Sequence, residues 1–223
     1  MSGQGSTWGG GYVTDVNYLP GWYRHQSPMH MAVTCLLLGV ACDLPAGEED
    51  VHYLELGCGL GRSTIWLAQE FRNVVGADIS APHLRMAAEI ATRFGRPNIS
   101  FLNVSDLSAL KTGPEFDAFF SIIVLQHNPP PIIHHLLTTI LGRLKLGGIA
   151  YFQVPTYRLG YTFDVQRYLA TPLRLGVPEM HVIPQPELHT LIENAGCRIL
   201  EMREDSAAGG DHISSRLFVR KVR

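Results

Sequence analysis

Short apolar runs alternate with helical segments along most of the chain, and this alternation restricts the possible folds more than any other feature of the sequence. Because repeated strand–helix units pack as a parallel sheet with right-handed crossovers, we predict a doubly wound, mostly parallel α/β sheet of seven strands. The predicted strands are 51–56, 73–79, 99–104, 116–125, 149–154, 197–204 and 213–222. The predicted helices are 63–71, 81–95, 130–145 and 184–196.

Some segments lie outside these repeated units. Residues 1–10 are rich in glycine and serine and are predicted to form a flexible arm. Residues 11–45 are predicted to be an N-terminal helical extension, and residues 46–223 the main domain. Residues 155–183 follow the carboxyl end of the fifth predicted strand, which is the side where open α/β sheets bind ligands. We therefore predict that this insertion is a lid over the site.

Composition and charge narrow the function classes. Of the 223 residues, 46% are hydrophobic and 17% are charged, which is typical of a globular domain. The net charge of −2 provides no general attraction to nucleic acid or to anionic lipid, so neither is predicted as a partner. The chain has no apolar run long enough to span a bilayer, no signal-peptide pattern and no C-x-x-C pair among its four cysteines. These features predict a reduced protein of the cytoplasm.

A glycine-rich turn follows the first predicted strand, and its spacing is specific. Glu55 precedes Gly57, Gly59 and Gly61. Glycine lets the backbone turn tightly and approach a ligand closely, and the helix that follows directs N–H groups toward the same place. A dinucleotide fingerprint would need glycine where this chain has Arg62, and the G-K-[ST] ending of a P-loop is also absent. Both of those nucleotide sites are therefore disfavoured.

Acidic residues follow the next two predicted strands. Asp78 ends the second strand, where a carboxylate can accept hydrogen bonds from both ribose hydroxyls of a nucleotide. Asp106 follows the third strand, where adenine would lie, although an acid capping a short helical turn would also explain it. Together with Glu55 and its GCGLG turn, these residues and the fourth-strand sequence SIIVLQH resemble the class I methyltransferases that use S-adenosylmethionine (SAM).

The resemblance runs from about Val51 to the C-terminus and implies a Rossmann-like methyltransferase fold, with SAM across the ends of the first three strands. It implies that the three glycines flank the methionine part of SAM and that Glu55 supports the turn and the amino group of the cofactor. It also implies that Asp78 holds the ribose and that Asp106, with the backbone of Leu107, lies at the adenine. The segment YVTDVNYLPGWYRHQSP resembles the N-terminal segment of some bacterial methyltransferases.

The end of the fourth predicted strand supplies the candidates for the reaction. The resemblance places Gln126 and His127 on the methyl side of the pocket. A hydroxyl acceptor must lose a proton, and histidine is the side chain best suited to take one near neutral pH, so His127 is the candidate catalytic base. The alternative is that His127 only orders the loop. Tyr157, Tyr161 and His181 in the insertion are candidate substrate contacts, with packing inside the insertion as their alternative.

Two other motifs are rejected. Asn128-Pro129-Pro130 is similar to the N-P-P-[YF] motif of enzymes that methylate amide or adenine nitrogens, but Pro131 replaces the required aromatic residue. The prolines are better explained as the start of a helix. The adjacent His134 and His135 point apart on a helix, and no histidine spacing predicts a metal site.

These observations predict a SAM-dependent methyltransferase that acts on a hydroxyl of a small molecule, such as a glycan unit or a secondary metabolite. The alternatives are an N- or C-methyltransferase of the same fold and a non-catalytic, SAM-binding partner subunit. A dehydrogenase that uses NAD is disfavoured by Arg62.

Overall fold

A computed structural model describes residues 51–172, 178–205 and 207–223. The predicted arm at 1–10, the predicted helical extension at 11–45 and residues 46–50 lie outside the described residues.

A seven-stranded sheet forms the centre of the described part, in the order β3-β2-β1-β4-β5-β7-β6. The strands β1 to β5 pair in parallel, and β7 pairs antiparallel with both β5 and β6. This confirms the predicted doubly wound α/β fold. The strands are β1 His52–Leu56, β2 Asn73–Asp78, β3 Ile99–Asn103, β4 Phe116–Ser121, β5 Leu144–Arg158, β6 Cys197–Asp205 and β7 His212–Lys221.

Helices connect the strands and cover both faces of the sheet. They are α1 Thr64–Glu70, α2 Ala81–Arg93, α3 Pro130–Gly142, α4 Val165–Ala170 and α5 Gln185–Asn194, with 3₁₀ helices at Leu107–Lys111 and Leu125–His127. The start of α2 shows how local sequence sets a helix end. Ser80 caps it by accepting a hydrogen bond from the N–H of His83, and a proline occupies the first turn, where its missing N–H leaves no bond unmade.

Successive residues of β1 pack against opposite faces of the sheet. Leu54 joins a core with Phe119 of β4 and Ile133 of α3, whereas its neighbour Tyr53 packs against Leu67 of α1. Because both faces are covered, the strand has apolar residues on both sides and not at alternate positions only. This explains why the central strands are recognisable in the sequence as continuous apolar runs.

The fourth predicted strand, 116–125, is too long. The strand ends at Ser121, and residues 122–124 turn away from the sheet before the 3₁₀ helix begins. Ile123 has a φ of 59°, a left-handed conformation that is rare for a β-branched residue. Its N–H donates to Oε1 of Gln153 at 2.9 Å and not to a neighbouring strand.

The boundaries around the fifth strand also differ from the prediction. Helix α3 ends at Gly142 and not at residue 145, and β5 spans 144–158 instead of 149–154. Phe116 pairs with Leu144 and Ala118 with Ile149, so residues 145–148 bulge from the strand. The predicted lid insertion at 155–183 therefore begins as four more residues of strand and includes the short helix α4.

Candidate cofactor and acceptor site

The glycine-rich turn between β1 and α1 has a backbone that glycine adopts readily and other residues do not. Gly57, Gly59 and Gly61 have φ angles of 78°, 54° and 76°. A Cβ atom on Gly57 would lie 2.1 Å from Cγ2 of Val124, so a side chain is excluded there. The N–H of Gly57 donates to the carbonyl oxygen of Ala77 at 2.7 Å, which ties the turn to β2.

Asp78 ends β2 beside this turn, and its carboxylate accepts hydrogen bonds from two backbone N–H groups. Oδ2 accepts from Gly59 at 2.9 Å, and Oδ1 accepts from Ser80 at 2.8 Å. Each oxygen has a second lone pair, so the half-buried carboxylate can still accept from two ribose hydroxyls. A Cβ on Gly59 would meet no described atom within 4 Å, which leaves space for a ligand above the turn.

Glu55 is buried beneath the turn and accepts hydrogen bonds from two hydroxyl groups at the start of α1. Ser63 Oγ donates to Oε1, and Thr64 Oγ1 donates to Oε2 at 2.5 Å. Burial raises the pKa of Glu55, and the two hydroxyl donors oppose that rise. The sequence prediction did not include these serine and threonine partners.

Asp106 lies after β3 and caps the 3₁₀ helix that follows. Its Oδ1 accepts from the N–H of Ser108 at 2.9 Å, and this bond lowers the pKa of the exposed carboxyl. Leu107 follows it and packs, half-buried, against the main core. The capping alternative therefore describes the contact that the structure shows, and a role at adenine stays a prediction.

Gln126 and His127 follow β4 and form the 3₁₀ helix at the end of that strand. Gln126 is buried, and its Oε1 accepts from Nε2 of Gln153 at 2.9 Å. The Nε2 atoms of Gln126 and His127 lie 3.4 Å apart. Gln153 also donates to Oγ of Ser214 at 2.6 Å, so β4, β5 and β7 share one buried polar network. The sequence prediction did not include Gln153, although a lone polar residue in an apolar strand indicates a buried hydrogen bond.

The insertion fixes the protonation pattern of His127. Nδ1 of His127 lies 2.8 Å from the carbonyl oxygen of Glu179. A carbonyl oxygen can only accept, so Nδ1 carries the hydrogen and Nε2 is the basic nitrogen of the neutral ring. The N–H of His181 donates to the carbonyl oxygen of Gln126 at 2.8 Å, which fastens the same segment to the 3₁₀ helix a second time.

His181 is at the centre of a cluster within the insertion. The side chain is buried, and both of its ring nitrogens have partners: Nδ1 lies 2.9 Å from the hydroxyl of Tyr161, and Nε2 lies 3.0 Å from Oε2 of Glu179. The rings of Tyr161, Phe163 and Tyr168 meet the imidazole edge-on. The bond to His181 lowers the pKa of Glu179, and burial raises the pKa of Tyr161.

The structure brings some of the candidate substrate residues together and separates another. His181 contacts the backbone of Gln126 next to His127, and Tyr161 reaches this group through His181. Tyr157 lies apart from the cluster, on β5 opposite Ile213 of β7, and its side chain is 51% exposed. The contacts of Tyr161 and His181 match the packing alternative, and direct contact with a substrate stays a prediction for all three.

The comparison with known proteins agrees with this geometry. Residues 54–148, which include the glycine turn, Asp78 and His127, match a family model described as a methyltransferase domain. The fold matches magnesium protoporphyrin IX methyltransferase of Synechocystis with S-adenosylhomocysteine (SAH) bound, at 19% identity and a TM-score of 0.63, over 96% of this chain and 90% of that chain. Residues 54–148 thus match a methyltransferase domain, and the fold is that of a solved SAM-dependent methyltransferase.

Further structures of the same fold differ in what they do. A SAM-dependent methyltransferase of Clostridium acetobutylicum matches at 15% identity and a TM-score of 0.64, over 93% of this chain and 99% of that chain. The [4+2]-cyclase SpnF matches at 18% identity and a TM-score of 0.61, over 85% and 80% of the two chains. At such identities the likeness shows the fold alone.

Sequence relatives cover the chain less completely. An uncharacterized protein of Synechocystis sp. is 29% identical over 153 residues, which are 67% of this chain and 30% of that protein. The 23S rRNA (uracil(1939)-C(5))-methyltransferase RlmD of Stenotrophomonas maltophilia is 33% identical over 94 residues, which are 42% of this chain and 21% of that protein. The chain thus spans less than a third of the length of these relatives.

SAM fits the residues that this chain places at the carboxyl ends of its strands. The open space above Gly59 and the remaining lone pairs of Asp78 suit a bulky ligand that carries ribose hydroxyls. The cofactor prediction is consistent with the magnesium protoporphyrin IX methyltransferase of the same fold, whose structures contain SAH or SAM. The contacts of individual residues with SAM stay predictions.

Within residues 51–172, 178–205 and 207–223, no group of three or more histidine, cysteine, aspartate or glutamate side chains is arranged to hold a metal ion. In the same part of the chain, no helix combines the length and the apolar character needed to cross a membrane.

Proposed function

We propose that this methyltransferase moves the methyl group of SAM to a hydroxyl group of a small molecule, such as a glycan unit or a secondary metabolite. The observation that carries the proposal is the hydrogen bond from Nδ1 of His127 to the carbonyl of Glu179. It leaves Nε2 as the basic nitrogen at the end of β4. A hydroxyl is the acceptor group for which a base at this position is most useful.

In such a reaction the protein binds the cofactor, aligns the acceptor and removes the acceptor proton. Bound SAM supplies an already activated methyl group, so the chain must mainly bind and align the reactants. The glycine turn and Asp78 hold the cofactor. His127 takes the proton of the acceptor hydroxyl at Nε2, and Gln126 steadies the imidazole from the adjacent position.

Charge and aromatic content support a small-molecule acceptor. The net charge of −2 does not favour a nucleic acid, and the insertion contributes the rings of Tyr157, Tyr161, Phe163 and Tyr168. The similarity to an rRNA methyltransferase covers only 42% of this chain and 21% of that protein. We also propose a cytoplasmic setting, since Cys58 and Cys197 are free, buried thiols whose pKa values burial raises.

Calorimetric titration with SAH tests the cofactor site, with NADH as the control ligand. We expect SAH to bind, and Asp78→Ala to weaken its affinity at least about 10-fold, the loss of roughly one charged hydrogen-bond partner. Asp117→Ala is the matched control, because Asp117 also accepts a backbone N–H, that of His52, but at the opposite end of the sheet. Preferential binding of NADH, or equal losses in the two variants, would contradict the proposed site.

A panel of acceptors then tests the chemistry, with hydroxyl, amine and carbon nucleophiles compared. We expect methylation of a hydroxyl compound, and a rate lowered by about 10²–10⁴-fold in His127→Ala with unchanged SAH affinity. Full activity of His127→Ala would remove the base from the mechanism. Turnover of amines or carbon acceptors alone would identify an N- or C-methyltransferase, and SAH binding without turnover would indicate a partner subunit.

A further inference from the structure

A row of hydrogen bonds, of which the one between Gln153 and Gln126 is fully buried, runs from the turn after β4 to the insertion. It begins at the N–H of Ile123, which donates to Oε1 of Gln153 at 2.9 Å. Nε2 of Gln153 donates to Oε1 of Gln126 at 2.9 Å. Nε2 of Gln126 lies 3.4 Å from Nε2 of His127, and Nδ1 of His127 lies 2.8 Å from the carbonyl oxygen of Glu179. Four bonds thus join two distant stretches of backbone.

The direction of this row is fixed by its two ends. A backbone N–H can only donate and a backbone carbonyl can only accept, so each bond between them must point the same way. Amide groups can otherwise be turned over, and a neutral imidazole can carry its hydrogen on either nitrogen. Here, the N–H of Ile123 fixes the orientation of the Gln153 amide, because it needs an acceptor. The nitrogen of Gln153 fixes the orientation of the Gln126 amide in turn, and the N–H of Gln126 then points at Nε2 of His127.

We propose that Gln153 is a positioning residue that, together with the carbonyl of Glu179, sets the tautomer of His127. Acting through Gln126, it keeps a donor pointed at Nε2, so that this nitrogen holds a lone pair and the hydrogen remains on Nδ1. The proposal rests on the proposed function only for the use of that lone pair: the acceptor hydroxyl must replace the N–H of Gln126 at Nε2 before its proton is removed.

The surroundings of Gln153 suit this role. Its side chain is fully buried in the middle of β5, where an unpaired amide would be strongly unfavourable. It also holds Ile123 at a φ of 59°, a conformation that an isoleucine adopts only when neighbouring groups impose it. The next residue, Val124, is the one that abuts Gly57. One amide therefore fixes both the histidine and the wall of the glycine turn.

Nitrogen NMR of the histidine rings tests the proposal directly, because protonated and unprotonated ring nitrogens resonate in separate ranges. The His127→Gln variant assigns the signals of His127. In the unaltered protein we expect Nε2 unprotonated and Nδ1 protonated. In Gln153→Leu, Gln126 is free to turn over, and we expect the preference for this tautomer to fall about five- to tenfold, the effect of one hydrogen bond.

Two further variants separate positioning from structural support. Gln153→Glu still accepts from Ile123, but its carboxylate attracts the amide nitrogen of Gln126, so Oε1 of Gln126 faces His127 and Nε2 of His127 should gain a proton. Ser214→Ala removes the other partner of the same amide nitrogen and should leave the tautomer unchanged.

Several outcomes would overturn the proposal. A hydrogen on Nε2 in the unaltered protein contradicts it, as does the same tautomer in Gln153→Leu and Gln153→Glu, or an equal change in Ser214→Ala. These measurements need no acceptor and no turnover. Failure of the proposed function would appear separately, as absent SAH binding or absent methyl transfer with the tautomer as described.

Discussion

At the scale of single residues, the carboxylate of Glu55 is the most constrained group of the site. It is buried, two hydroxyl groups donate to it, and burial keeps its pKa above the usual range. The folded protein therefore holds a proton on Glu55 at pH values where the unfolded chain has released it. Linkage then requires that stability falls as pH rises from the unfolded pKa of about 4.3 toward the folded pKa.

The change Glu55→Gln removes this titration and keeps the shape and the hydrogen-bonding capacity. We expect its melting temperature to exceed that of the unaltered protein by a margin that grows with pH across this window and is constant above it. Thermal denaturation from pH 4 to pH 8 measures the margin. The exposed Glu89 on α2 supplies the control variant Glu89→Gln. A margin that is independent of pH, or that shrinks as pH rises, would show that Glu55 is not held in this way.

At the scale of elements, two glycines of the same turn are expected to differ, one mattering for stability and the other for ligand binding. Gly57 and Gly59 share a positive φ, but a Cβ would strike Val124 only from Gly57. We expect Gly57→Ala to lower the free energy of unfolding by about 2–5 kcal/mol, from overpacking and backbone strain together. Gly59→Ala should lower it by about 1–2 kcal/mol, from strain alone.

Affinity for SAH should distinguish the same two variants differently, because Gly59→Ala is expected to affect binding more than stability. The alanine methyl at position 59 enters the open space above the turn, so Gly59→Ala should weaken SAH binding more than its small loss of stability suggests. Urea denaturation and calorimetry on both variants provide the two quantities. Equal effects on stability would mean that Val124 does not form the wall of the turn.

The elements that could be predicted are those whose ends are set locally. β1, β2 and β3 and the glycine turn were predicted to within a residue, because apolar runs and turn residues mark them in the sequence. The end of β4 could not be predicted, since residues 122–124 are as apolar as the strand before them. Where they leave the sheet, the N–H of Ile123 donates to Gln153, which is 30 residues away in the chain. The bulge at 145–148 likewise depends on pairing with β4.

At the scale of the whole molecule, ligand binding should appear as thermal stability. A ligand that binds only the folded state at 100 times its dissociation constant stabilises that state by about 2.7 kcal/mol. For a domain of this size, we expect SAH to raise the melting temperature by roughly 5–10 °C. Asp78→Ala at the same SAH concentration should show little rise. An equal rise in both proteins would place the bound ligand away from Asp78.

The candidate site as a whole was only partly predictable. Asp78 and His127 could be identified from their positions at strand ends, where ligand-binding residues of α/β sheets collect. The groups that orient them could not be predicted. Hydrogen bonds such as those of Gln153 to Gln126 and Ser214 join segments that are distant in the sequence. His181 was identified as polar and near the site, but its burial among aromatic rings depends on the fold of the insertion.

Because all the hydrogen bonds in this row point in the same direction, they also restrict which substitutions the sequence can accumulate in evolution. A mutation that replaces Gln153 alone leaves the buried amide of Gln126 without this partner, whereas a second mutation that replaces Gln126 as well removes the unpaired group. Change at these positions should therefore be inherited in pairs, and descendants with another residue at 153 should carry a matching replacement at 126.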